Sequence, residues 1–64
     1  MIQEFARVLR AQYREEIEAQ RAHLARGAAS TFDEYKRLVG LIQGLEIAEE
    51  RLLALAKKAD DDDD

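Results

Sequence analysis

Cysteine, proline and tryptophan are absent from the chain, histidine occurs once and glycine three times. Without cysteine there is neither a disulfide nor a thiolate site for zinc, and a lone histidine cannot supply a histidine-based metal cage. Without proline nothing forces a helix to break. Long apolar runs are missing as well: no stretch approaches the roughly 18 apolar residues that span a bilayer. The opening segment carries Glu4, Arg7 and Arg10 in its first turns and lacks the apolar run of a signal peptide, so a cytosolic compartment is expected.

These absences matter more because the chain has only 64 residues. A single core of this size rarely supplies more than about 3 to 5 kcal/mol, and small chains usually add disulfides, metals or oligomerisation. With the first two excluded, association with other chains or docking on a larger body remains.

What is present is the usage of a helical chain: Ala, Leu, Glu and Arg dominate, and all are good helix formers. Ile2, Ala6, Leu9, Tyr13, Ile17 and Leu24 recur at steps of three and four, with Gln20 in the one gap. That spacing predicts a first helix over 2–26 with one apolar stripe, widened by Phe5 and Val8. Gly27 suits the left-handed cap after a helix. Thr31 stands three residues before Glu34, the capping-box spacing in which hydroxyl and carboxylate satisfy each other's backbone N–H groups. A second helix over 31–59 follows, with Tyr35, Leu38, Ile42, Leu45, Glu49, Leu52, Ala56 and Ala59 on one seam and Leu41, Ala48 and Leu55 on another.

The connector at 27–30 is short enough to make the helices antiparallel neighbours. The expected fold is therefore all-α: a two-helix antiparallel hairpin over 1–59, completed by oligomerisation or docking, followed by an acidic tail at 60–64. Folding about residues 29 and 30 pairs positions whose numbers sum to 58 or 59, which sets Ile17 beside Ile42, Tyr13 beside Leu45 and Leu24 beside Tyr35. Glu49 interrupts its apolar seam and falls opposite Arg10, where a salt bridge is expected.

The net charge of −4 is unevenly placed. Residues 1–59 hold ten bases against nine acids, whereas Asp60, Asp61, Asp62, Asp63 and Asp64 form an unbroken acidic run. The run should end the second helix by like-charge repulsion. It reads either as a solubilising end or as an electrostatic tether to a basic patch on a partner. The arginines of the first helix are interleaved with glutamates that cancel most of the field a nucleic acid would feel, so nucleic acid is not the expected partner.

Gly40 and Gly44 lie inside the second helix, where each costs about 1 kcal/mol relative to alanine. With Ala48 they form a strip of small residues at steps of four. Either Tyr13 or Ile17 of the first helix fills this notch, or a helix from another chain does. Two helices cannot hide both seams of the second, and a seam left open implies a partner. The expected partner interface is Gly40, Leu41, Gly44, Ala48 and Leu55.

No chemistry of an enzyme is legible. His23 has Gln20 three residues before it, so the Glu-x-x-His pair of carboxylate-bridged metal bundles is missing. The clusters Glu15, Glu16, Glu18 and Glu46, Glu49, Glu50 read as solvated faces. No serine or cysteine stands near a base, and no glycine-rich loop follows a strand. Neither a catalytic residue, a cofactor nor a metal is expected.

The segment Phe32 to Glu50, FDEYKRLVGLIQGLEIAEE, resembles a pattern in short proteins of tailed bacteriophages: an aromatic residue, Tyr-Lys, an aliphatic-Gly pair, then Gly-Leu-x-x-Ala-Glu. The resemblance covers the second half of the chain and extends to length, two-helix layout and acidic C-terminus. It implies a phage origin, in the virion or the host cytoplasm, and a structural or accessory protein docking in several copies on a capsid, portal or tail component. The alternative is a homodimer, two hairpins forming a four-helix bundle that regulates or inhibits a host protein.

Overall fold

The computed structural model of the protein describes residues 1–62 and contains two helices, α1 (Ile2–Ala25) and α2 (Phe32–Asp62), with no strand among the described residues. They pack against each other antiparallel, as the short connector dictates. The hairpin measures 51 × 16 × 10 Å with a radius of gyration of 15.0 Å, against about 11 Å for a compact chain of this length. It is a rod, with little interior.

Each boundary has a local cause. After α1 the Arg26 backbone is still near-helical, and Gly27 takes φ +80°, a conformation glycine adopts without the penalty a Cβ brings. Gly27 N–H then donates to Leu24 O at 3.0 Å, and Ala28 N–H to His23 O at 3.2 Å. These two bonds are the Schellman closure, which satisfies carbonyls the helix end leaves orphaned.

At the start of α2, Glu34 N–H donates to Thr31 Oγ1 at 3.1 Å, as the spacing predicts. The reciprocal bond differs from expectation. The Glu34 carboxylate accepts from Ser30 N–H at 3.1 Å and from the Ser30 hydroxyl at 3.3 Å, so it reaches one residue further back than the box requires.

The expected helix ends need two corrections. α1 stops at Ala25 with Arg26 as its cap, and α2 continues three residues past 59, through Asp62. Repulsion between exposed like charges costs only a few tenths of a kcal/mol per pair, and adding residues to an existing helix is cheap. The first turn of the aspartate run therefore stays helical. Asp63 and Asp64 lie outside the described residues.

The pairing register follows the sum of 59. Gln3 Nε2 donates to Ala56 O at 2.9 Å, and Arg10 Nε donates to Glu49 Oε2 at 3.2 Å. Among the described residues the buried apolar ones are Ala6, Ile17, Leu38, Ile42 and Ala56, of which Ile17 alone is fully enclosed. The core is thus concentrated near the turn-side half, and alanines occupy its far end. Leu24 is half-buried, but Tyr35 remains 50% exposed. Its ring stacks on Phe32, with centroids 6.3 Å apart, and Lys36 Nζ lies 5.5 Å from the Phe32 centroid.

Candidate partner interface

The hairpin has two unlike broad faces. On one, side chains of α1 reach across to α2 through charge. Glu49, 9% exposed, accepts from Arg10 Nε at Oε2 and from Arg14 Nη1 at Oε1, both at 3.2 Å. One turn apart on α1, the two arginines hold both oxygens of one carboxylate. Sequence spacing names Arg10; Arg14 is reached only because an arginine spans a helical turn. Further along, Arg21 bridges Glu18 of its own helix and Glu46 of α2, each at 3.0 Å. At the extreme end, Glu4 accepts from Arg7, and this bond raises the Arg7 pKa above its ordinary value. No buried side-chain nitrogen or oxygen among the described residues lacks a partner.

The opposite face is apolar. A groove of about 200 Å³ is lined by Ile2, Phe5, Ala6, Leu52, Leu55 and Ala56 alone. It joins two lines of side chains: Ile2, Phe5 and Leu9 on α1, and Leu41, Ala48 and Leu55, seven residues apart, on α2. Phe5 is 66% and Leu55 67% exposed. Ala6 and Ala56 form the floor, and their small side chains cannot cover the larger residues beside them.

Of the expected interface, Leu41 and Leu55 are exposed, Ala48 is half-buried, and Gly40 and Gly44 are exposed. The notch at the glycines is not filled from within. A Cβ built on Gly40 or Gly44 meets nothing within 4 Å, so neither Tyr13 nor Ile17 packs there. The reason is angular: at 100° per residue, Gly44 lies about two-fifths of a turn from the buried line of Leu38, Ile42 and Glu49. In the isolated hairpin, Gly44→Ala should therefore stabilise by about 1 kcal/mol through helix propensity alone. This should appear as a rise in thermal midpoint of several degrees by circular dichroism; a fall would place another backbone against the strip.

Ile2 and Phe5, which periodicity places in and beside the stripe facing α2, belong instead to the apolar face. The distinguishing signal is the width of the stripe: two packed helices bury one strip each, and Phe5 and Val8 widen the α1 stripe beyond that at the end where Ile2 stands. Of the acidic run, Asp60 and Asp61 are exposed. His23 is exposed in the last turn of α1. Among the described residues, no three His, Asp or Glu side chains converge as metal ligands, and no helix is long and apolar enough to cross a membrane.

Comparison with protein-family models, with curated proteins and with solved structures finds no match to this chain.

Proposed function

We propose that the protein is a non-enzymatic interaction module that docks on a helical surface of a protein partner through its apolar face. The observation that supports this is the asymmetry of the hairpin: one broad face is crossed by the Glu49 and Arg21 ion pairs and its groove at the open end is lined by Gln3, Glu4, Arg7 and Arg10 beside Leu53, while the other leaves Phe5 and Leu55 two-thirds exposed around a groove lined by apolar residues alone. Isolated apolar side chains on a surface are ordinary; a contiguous apolar face on so small a chain is the mark of a contact surface. Docking would cover Leu41, Ala48 and Leu55, with Gly40 and Gly44 admitting a neighbouring backbone. The aspartate run would steer a basic surface toward it.

The setting we propose is the virion of a tailed phage, with a capsid, portal or tail component as partner; its support is the resemblance of residues 32–50 to short phage proteins. Quantitative mass spectrometry of purified particles tests it. The wild-type chain should co-purify at a fixed copy number, and Leu55→Glu should reduce that number strongly. Absence of the wild-type chain from particles would remove the virion from the proposal.

A further inference from the structure

Resting on that docking reading, we infer that the occupant of the apolar face is a single amphipathic helix of a partner protein, lying along α2 and carrying acidic residues at seven-residue intervals on one flank. What carries this is a row of cations, left without partners, beside the exposed apolar line.

Leu41, Ala48 and Leu55 recur every seven residues, and four residues before them stand Arg37, Gly44 and Arg51, a row that Lys58 continues. Residues four apart are neighbours on a helix surface, so the row borders the line along its whole length. Arg37, Arg51 and Lys58 are exposed, and among the described residues none of them makes an ion pair. On α1 the cations are engaged: Arg7, Arg10, Arg14 and Arg21 each hold a carboxylate. Arg51 has no acid within reach on its own helix, because the residues three and four away from it are Ile47, Ala48, Ala54 and Leu55.

The spacing describes the occupant. Apolar residues repeating every seven, bordered by charge, are the pattern of helix pairing, in which flanking charges of opposite sign select the partner. From Leu41 to Leu55 the line runs about 21 Å at 1.5 Å per residue, room for two heptads of a facing helix. Leu41 is 42% and Leu55 67% exposed, and between them the open space above Gly44 admits one large apolar side chain of the partner as a knob. Three and seven residues past Leu9 on α1, Gln12 and Glu16 are exposed. The helix therefore follows α2, with its acids on the flank toward Arg37 and Arg51 alone. A lipid surface fits less well. It needs no seven-residue register, and Asp60 and Asp61, exposed near the end of α2, oppose the anionic headgroups that a cationic row attracts. The basic surface that the aspartates would steer lies beyond the end of the docked helix.

Two synthetic peptides of three leucine heptads, identical except for Glu or Lys at one flanking position of each heptad, test this on the full chain by fluorescence anisotropy, at concentrations where each peptide alone is monomeric. The Glu peptide should bind roughly tenfold or more tighter at low salt, since exposed pairs turn from attraction to repulsion between the two. The ratio should approach one near 1 M salt, where the screening length is about 3 Å. Arg37→Glu with Arg51→Glu, checked for unchanged helicity by circular dichroism, should invert the preference. Equal affinity for both peptides, lost in Leu55→Glu, would overturn the acidic helix and leave the docking reading standing. Failure of both peptides to bind would also overturn it, and retention of Leu55→Glu on particles would take the docking reading with it. A chain that sediments as a dimer without peptide, and as a monomer in Leu55→Glu, would overturn it in favour of a second copy. Binding to phosphatidylserine vesicles but to neither peptide would overturn it in favour of a membrane surface.

Discussion

Ile17→Ala is expected to abolish most of the helicity of the protein at low concentration. Among the described residues Ile17 is the one large side chain with no solvent exposure, and truncating a buried isoleucine to alanine costs about 2 to 5 kcal/mol, a transfer term plus a cavity term. That is comparable to the whole of what a core of this size supplies. Alanine's better helix propensity returns only a few tenths of a kcal/mol. Helicity followed by circular dichroism against concentration checks this, with Ile47→Ala as control. Ile47 is 50% exposed and its truncation should change stability by no more than about 0.5 kcal/mol. Equal losses in the two variants would mean that the core does not centre on Ile17.

The second large effect is an asymmetry within the Arg10–Glu49–Arg14 cluster. Arg10→Ala with Arg14→Ala strands the carboxylate of Glu49, 9% exposed, against apolar neighbours. Breaking such a pair from the exposed side costs about 3 to 5 kcal/mol when burial is complete, and about 2 to 3 here, where water reaches the edge of the site. Glu49→Leu removes the buried charge itself and leaves two arginines whose side chains are 53% and 43% exposed free to hydrate. That change should be close to neutral or mildly stabilising. Urea unfolding of the three proteins at one concentration decides: equal destabilisation by both changes would show that the cluster contributes attraction rather than merely avoiding an unpaired charge. The Leu variant should also tolerate other helix registers, because a leucine at 49 no longer prefers one partner across the hairpin.

Much of the architecture was legible because its determinants are local. Gly27 and Thr31 bracket the turn by their own backbone and hydroxyl chemistry, and the three-four spacing through Ile17, Leu38 and Ile42 names the buried strip. Even the Arg10–Glu49 pair follows from one arithmetic constraint, the sum of 59. What was not legible depends on quantities that spacing does not carry. The end of α2 lies past residue 59, whereas an aspartate run signals repulsion without its magnitude. The glycine notch stays open toward α1; periodicity places Gly44 near the apolar side of α2 but does not say how wide a strip one neighbouring helix covers. Ile2 and Phe5 lie outside the core for the same reason. The expected interface lies on α2 alone, whereas the apolar groove is lined equally by the first turns of α1.

The register also gives the hairpin an order of assembly. Contacts near the turn join residues close in sequence, while the Gln3–Ala56 bond closes a separation of 53 residues. Loop-closure entropy makes the near contacts the cheaper ones to form first, so the capped turn and the Ile17 level act as a nucleus from which pairing zips outward. The far end, where Ala6 and Ala56 bury little, closes last and opens first. Phe5 and Leu55 stand at that end, so the exposed apolar residues proposed for docking are also those whose ordering the hairpin itself completes least. A partner that seats there acts as a clasp on a zipper, slowing unfolding without altering how folding begins.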